Sequence, residues 1–93
     1  MHATVRIYAG ANDLADALVE REDEVKQIIS EIDGFEAYYL VRTSDGATSI
    51  SVYDNEAGAE QSNRVAAAWV AENLPDLSIA APQISAGEVA ISF

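Results

Sequence analysis

The order in which alternating and helical apolar patterns follow one another constrains this chain more than any other feature. Residues 4–9 alternate, with Val5 and Ile7 on one side, and this alternation predicts a half-buried strand. From Leu14 the apolar residues recur at helical spacing as far as Gly34, a residue that commonly ends helices. The pattern therefore opens with a strand and continues into a helix.

The first helix contains one residue that does not fit its apolar stripe. Arg21 lies in the middle of that stripe. A helix of about 20 residues would also span about 30 Å, whereas a six-residue strand covers only about 20 Å. We expect either a kink over residues 19–22, or an Arg21 stem that lies along apolar surface with its head group in water.

A hairpin follows the first helix. Residues 35–43 and 47–53 are rich in β-branched and aromatic side chains, and Asp45-Gly46 lies between them. Asp-Gly between two strands is a strong signal for a two-residue turn. The register that this turn predicts pairs Val41 with Ile50, Tyr39 with Val52, Arg42 with Ser49, Leu40 with Ser51, and Tyr38 with Tyr53.

A second helix and a last strand complete the pattern. Asp54 or Asn55 can cap a helix that runs to about Asn73. The inner stripe of this helix begins with small residues and ends with a large one: Gly58, Ser62, Val65 and Trp69. Residues 76–86 are expected to form a long connection, and residues 88–93 alternate as a final strand.

This order of elements predicts a single α+β domain over residues 1–93. A ferredoxin-like β-α-β-β-α-β chain forms a four-stranded antiparallel sheet with both helices on one side. We expect the helices to cover the face with Val5, Ile7, Tyr39, Val41, Ile50, Val52, Val89 and Ile91. The open face would then carry Thr4, Arg6, Tyr8, Tyr38, Leu40, Arg42, Ser49, Ser51, Tyr53, Glu88, Ala90 and Ser92.

The predicted open face has the composition of a covered surface. It carries three tyrosines, one leucine and two arginines, and tyrosine is a residue that favours interfaces and ligand pockets. A chain of 93 residues also buries only a modest share of its own surface. We therefore expect a partner over this face.

Three segments resemble a known superfamily: Gly34–Arg42, the Asp45-Gly46 turn, and Ser51–Ala59. A helix-to-Gly-Phe junction, a strand, a tight turn, and a strand that runs into an Ala-rich helix are similar to the dimeric α/β-barrel superfamily. Antibiotic-biosynthesis monooxygenase-like and stress-responsive barrel proteins belong to it. The resemblance implies a homodimer in which two sheets meet face to face, with a cavity between each sheet and its helices.

Composition excludes several classes of function. The chain has 5 Lys and Arg against 16 Asp and Glu, a net charge of −11, which disfavours binding to nucleic acid or anionic membranes. It has no cysteine, and its one histidine, His2, is terminal. We expect no metal and no cofactor; the helix histidine of haem-degrading relatives has no counterpart here. With no apolar signal-peptide core or membrane span in the sequence, we expect a cytoplasmic protein.

Seven residues are candidates for a ligand site or an interface: Arg6, Tyr8, Tyr38, Arg42, Tyr53, Trp69 and Glu88. Arg6 and Glu88 are expected on adjacent strands, either as an interface ion pair or with Arg6 holding an anion. Arg42 is expected at the rim. The three tyrosines either pack at the interface or donate hydrogen bonds to a phenolic or quinone-like ligand.

Trp69 has two readings, as an ordinary core residue or as the wall of a cavity that stacks on a planar ligand. Some related oxygenases without cofactors use an asparagine and a tryptophan. Asn63 and Trp69 match these residue types, but six helical positions place them roughly 120° apart, so the role does not carry over.

Two functions remain open. The first is a homodimeric module that binds a small ligand or a protein partner and has no recognisable catalytic group. The alternative is a cofactor-independent monooxygenase-like enzyme that acts on a small aromatic or quinone-like substrate. The absence of a general base with a clear setting favours the first.

Overall fold

The computed structural model describes residues 1–93 and contains four strands, three α-helices and one short 3-10 helix. In chain order these are β1 (His2–Ala9), α1 (Leu14–Glu20), α2 (Glu22–Ser30), β2 (Phe35–Thr43), β3 (Gly46–Tyr53), α3 (Glu56–Asn73), the 3-10 helix (Pro75–Leu77) and β4 (Gln83–Glu88).

The four strands form one antiparallel sheet in the order β2-β3-β1-β4. The two inner strands, β1 and β3, are the first and third along the chain, as a ferredoxin-like fold requires. The predicted α+β fold is therefore confirmed. None of the helices combines the length and the apolarity that a membrane crossing needs.

The kink expected in the first helix is confirmed at Arg21. This residue has φ −116° and ψ 34°, outside helical geometry, and it separates α1 from α2. Its guanidinium carbon lies 5.2 Å from the centre of the Trp69 ring. The break thus places a cation against the aromatic side chain of α3 and lets the two short helices follow the sheet.

The register predicted for the hairpin is wrong by two residues. Tyr39 lies opposite Ile50, and Thr43 lies opposite Gly46, so the turn is Ser44-Asp45. Because the shift is even, the residues predicted to share a face still share it.

Gly46 explains the shift. It is the first residue of β3 and pairs with Ala9 of β1. A Cβ atom at Gly46 would lie 2.0 Å from the carbonyl oxygen of Tyr8. The glycine therefore permits a close approach of two strands and does not serve the turn.

The two faces of the sheet are exchanged relative to the prediction. The helices cover the face that carries Thr4, Arg6, Tyr8, Tyr38, Leu40, Ser49, Ser51 and Tyr53. The open face carries Val5, Ile7, Tyr39, Val41, Ile50 and Val52, and the exposed fractions of Ile7, Tyr39 and Val41 are 42%, 59% and 44%. Alternation separates two faces but does not say which one the helices cover when both carry large side chains.

The last strand was also predicted wrongly. β4 comprises Gln83–Glu88, which begins inside the expected connection and ends at the first residue of the expected strand, and residues 89–93 form no strand. All six residues of β4 are exposed. Since this edge strand is held by backbone pairing with β1, it has no buried side and leaves no apolar alternation in the sequence.

Helix α3, the second of the two helices predicted from the sequence, follows its prediction closely. The Asn55 side chain accepts a 2.8 Å hydrogen bond from the Gly58 amide and caps α3. Gly58, Ser62 and Trp69 are buried against the sheet. The small residues let the first half of α3 approach the strands closely, which brings the polar side chains of both elements within hydrogen-bonding distance.

Candidate functional site

Arg6 is a buried cation at the centre of the sheet, with only 1% of its surface exposed. It projects from β1 towards α3, between the sheet and the helices. Its guanidinium donates from Nε to Ser49 Oγ (2.9 Å), from Nη2 to Ser51 Oγ (2.7 Å), and from Nη1 to Ser62 Oγ (3.2 Å) and Asn63 Oδ1 (2.9 Å).

All four partners of Arg6 are neutral, and it forms no ion pair. The ion pairs of the chain lie elsewhere: His2 with Glu56, Arg21 with Glu24, and Arg42 with Asp16. A buried charge is normally paired because desolvation is costly. Despite its net charge of −11, the chain keeps this positive charge without a carboxylate.

One N–H of the guanidinium lies outside its hydrogen bonds to the serines and Asn63. The guanidinium has five N–H groups, and the four hydrogen bonds above use one on Nε, two on Nη1 and one on Nη2. The remaining N–H belongs to Nη2. Tyr8 also hydrogen-bonds with Arg6, an interaction that opposes the rise of the Tyr8 pKa on burial, so a ligand oxygen at the guanidinium would lie beside this phenol.

Neighbouring contacts fix the orientation of these partners. Thr4 Oγ1 donates to Asn63 Oδ1 at 3.0 Å, and Ser62 Oγ donates to the Ala59 carbonyl at 2.6 Å. Since Arg6 lies directly opposite Ser49 in the sheet, the network joins β1, β3 and α3. The guanidinium is therefore held in place before any ligand arrives.

Three tyrosines surround this charge. Burial raises the pKa of Tyr8, Tyr38 and Tyr53 above 10.0, and the positive charge of Arg6 opposes the rise in each case. All three phenols are thus protonated at neutral pH. The Tyr53 hydroxyl donates to the Ile29 carbonyl at 2.8 Å, whereas Tyr8 and Tyr38 border the cavity described next.

A small inner chamber lies beside Arg6. Its volume is about 20 Å³, and its polar and aromatic walls are Arg6, Tyr8, Tyr38, Ser49 and Trp69. This is room for about one water molecule. In this conformation only a terminal atom of a ligand could enter it.

A larger outer cleft adjoins the inner chamber between α1, α2 and β2. It has a volume of about 510 Å³, within the range of small-molecule sites. Its walls are mostly apolar and include Val19, Phe35 and Leu40. The residues that border both spaces are Leu18, Val25, Ile29 and Tyr38. The two spaces therefore share a wall; the outer cleft is mostly apolar, and Arg6 borders the inner chamber on the other side.

The structure brings together four of the seven predicted site residues: Arg6, Tyr8, Tyr38 and Trp69. Tyr53 is buried nearby, but its hydroxyl is already bonded. Arg42 is exposed at the end of β2 and pairs with Asp16 of α1.

The predicted pairing of Arg6 with Glu88 is wrong. Glu88 lies opposite His2 and is exposed, while Arg6 lies opposite Ile84. The error follows from the misplaced last strand, which moved Glu88 along the sheet. Arg6 also points to the helices and not to the open face.

Sequence reasoning missed the four groups that hold Arg6: Ser49, Ser51, Ser62 and Asn63. The available signal was two serines at alternate positions of one strand, opposite a strand with a lone arginine. Asn63 is the residue directly after Ser62 in α3, beside the helix stripe that begins with small residues. No group of three or more His, Asp or Glu side chains lies where it could hold a metal ion.

Comparison with known proteins supports the fold alone. No protein-family model matches the chain, and no curated protein matches it. Solved structures match along its whole length. A Streptomyces coelicolor monooxygenase from the gene ActVA-Orf6, in complex with nanaomycin D, has 18% identity and a TM-score of 0.66, and the match covers 99% of this chain and 88% of that one.

Two further solved structures are similar. A candidate antibiotic biosynthesis monooxygenase from Deinococcus radiodurans has 15% identity and a TM-score of 0.66, covering 100% of this chain and 96% of that one. NE2512 from Nitrosomonas europaea, a protein of unknown function, has 18% identity and a TM-score of 0.65, covering 99% and 90%. The predicted resemblance to antibiotic-biosynthesis monooxygenase-like proteins is therefore confirmed for the fold.

Proposed function

We propose that this protein binds a small, flat, mostly apolar ligand that places one acidic oxygen on Arg6. The observation that carries the proposal is the buried guanidinium, whose hydrogen-bond partners are all neutral. An anionic or ionisable oxygen would supply the missing negative charge. The apolar body of the ligand would occupy the outer cleft.

The size of the inner chamber restricts the group that can reach Arg6. About 20 Å³ admits a single oxygen but no ring. The oxygen of a phenol or an enol, or one oxygen of a carboxylate, would fit this space. Because an opposite charge at close range lowers the pKa of an acid by about 1–3, Arg6 favours the ionised form of such a ligand.

Binding without catalysis is the function that the geometry supports best. No carboxylate or imidazole borders the inner chamber. Tyr8 and Tyr38, whose pKa values burial raises, are hydrogen-bond donors at neutral pH and not bases. A general base must reach the proton that it removes, and the inner chamber offers none.

A cofactor-independent monooxygenase is the second candidate. A phenolate held by Arg6 is more electron-rich than the phenol and reacts more readily with oxygen. A substrate that loses its proton to solvent and binds as the phenolate would need no general base. The similar fold of the Streptomyces coelicolor monooxygenase adds support to this candidate. Its substrate class would be small aromatic or quinol-like molecules.

We also propose that the protein is a homodimer through the open sheet face. That face carries Ile7, Tyr39 and Val41, which are 42–59% exposed. The paired positions that share this face on the four strands include no charged residue. A second copy with the same uncharged face could therefore pack against it without bringing like charges into contact.

Calorimetric titration with 2-naphthol and naphthalene tests the binding site. We expect 2-naphthol to bind more tightly, and Arg6→Gln to remove this preference, while Arg64→Gln on the exposed side of α3 leaves it unchanged. Equal affinity of the unmodified protein for both probes would overturn the proposal, and this comparison needs no variant.

Oxygen uptake with anthrone- or quinol-like substrates tests the second candidate. An absence of turnover across such a panel would contradict it.

A further inference from the structure

We propose that Lys26 makes this site selective for ligands with a second acidic group, at the end opposite to the oxygen on Arg6. The inference rests on the proposed function, since it concerns the other end of the same ligand. It assigns a specificity-determining role to Lys26, and it defines the ligand class as rigid apolar molecules with an acidic group at each end.

Lys26 is the only lysine of the chain, and it borders the outer cleft. Arg6 borders only the inner chamber, and Arg21 lies against Trp69, one of the chamber walls. Two of the 5 cationic side chains thus border these neighbouring spaces, and a third lies behind a wall residue, in a chain with 16 acidic side chains. A solvated surface of this composition would present mainly carboxylates.

Acidic residues are scarce around the same cavity. None borders the inner chamber, and Glu22 alone borders the outer cleft. Glu22 and Lys26 are four positions apart on α2, a spacing at which they could pair, yet no ion pair joins them. The Lys26 ammonium is therefore free to meet an anionic group that lies in the cleft.

Three of the four residues that border both spaces are aliphatic, and the fourth is Tyr38. Val25 and Ile29 of α2 border both spaces, and Leu18 of α1 does the same. A ligand that spans from Arg6 to Lys26 must cross this apolar stretch. Its middle is consequently an apolar body, and its polar groups lie at its two ends.

Titration with 2-naphthol and 6-hydroxy-2-naphthoate tests the role of Lys26, because the two probes differ only in a carboxylate at the far end. Lys26→Gln should weaken the binding of 6-hydroxy-2-naphthoate about three- to fivefold, as expected for a partly exposed ion pair. It should leave the affinity for 2-naphthol unchanged. Lys26→Arg should retain the affinity. Glu22→Gln should strengthen the carboxylate probe about two- to threefold, since it removes a negative charge from the same cleft. Arg64→Gln, with the same charge change as Lys26→Gln outside the cavity, should affect neither probe.

The outcomes separate this inference from the function on which it rests. If 2-naphthol binds with the expected dependence on Arg6, and Lys26→Gln weakens both probes equally or neither, then the role of Lys26 is wrong and the site stands. If neither probe binds to the unmodified protein, both proposals fail. The effect of Lys26→Gln should also shrink at high salt, because Lys26 is exposed.

Discussion

Arg6 donates a 2.7 Å hydrogen bond from Nη2 to the hydroxyl of Ser51, and both side chains are buried beneath α3. A charged donor with a neutral acceptor forms a strong hydrogen bond, but the charge itself remains uncompensated. The hydrogen bond to Ser51 therefore orients the Arg6 cation without neutralising it, so Arg6 can still attract an anion. A structural ion pair would have neutralised it.

The first prediction concerns the shape of this cation. Arg6→Lys keeps the charge but replaces a planar fork by a single ammonium with three donors, which cannot reach all four acceptors. We expect the free energy of unfolding to fall by roughly 2–4 kcal/mol, as measured by urea denaturation. Arg64→Lys on the exposed side of α3 should change it by less than about 0.5 kcal/mol. Equal effects of the two substitutions would contradict the described network.

The second prediction concerns alkaline pH. Burial raises the pKa of Tyr8, Tyr38 and Tyr53 above the ordinary 10.0, so these phenols ionise at lower pH in the unfolded chain than in the folded one. These three tyrosines should therefore leave the free energy of unfolding unchanged up to about pH 9. They should lower it as the pH rises above about 10. Urea denaturation at several pH values measures this loss.

A single substitution controls for the tyrosine effect. Tyr38→Phe removes one of the three phenols and should make the alkaline loss of stability shallower. Phenolate absorbance of the native protein should show these tyrosines ionising above the usual pKa of 10.0. A stability that rose with pH in this range would contradict the assignment of their burial.

The sequence predicted the elements of the fold better than their pairing. The helical stripe, the break at Arg21 and the cap of α3 depend on neighbouring residues, and local patterns report them. The hairpin register depended on Gly46 meeting a strand about 40 residues earlier, at the carbonyl of Tyr8. β4 has no buried side, so apolar periodicity had no means of finding it.

The exchange of the two faces explains why the sequence predicted the residues of the site but not their arrangement. Arg6, the tyrosines and Trp69 were recognised as unusual, but Arg6 and the tyrosines were assigned to the surface of the sheet that faces away from Trp69. Helix-covered faces are usually apolar. Here the covered face carries a charged network, whose hydrogen bonds become evident only when β1, β3 and α3 are packed together.

The third prediction tests the close approach of β1 and β3. Gly46→Ala would place a Cβ 2.0 Å from the Tyr8 carbonyl oxygen, and backbone atoms cannot move aside cheaply. We expect a loss of about 2–3 kcal/mol in the free energy of unfolding. Gly87→Ala is the matched control because nothing lies within 4 Å of its added Cβ, and it should be nearly neutral. Similar stabilities of the two variants would contradict the observed strand contact.

The fourth prediction concerns the proposed homodimer. The unmodified protein should have a mass of about twice 9.9 kDa by light scattering. Tyr39→Glu places a charge on the open face, where 59% of the Tyr39 surface is exposed, and should give monomers. Ala71→Glu adds the same charge to the exposed side of α3 and should leave the dimer intact. A monomeric unmodified protein, or dissociation by both variants, would contradict the proposed interface.

The pKa of bound 4-nitrophenol tests the central claim most directly, because the absorbance of this probe distinguishes the phenol from the phenolate. If Arg6 is an uncompensated buried cation at the inner chamber, the bound probe should ionise at least about one pH unit lower than the free probe. The same shift should be absent in Arg6→Gln and present in Arg64→Gln. A bound probe whose pKa is unchanged or raised in the unmodified protein would contradict the account.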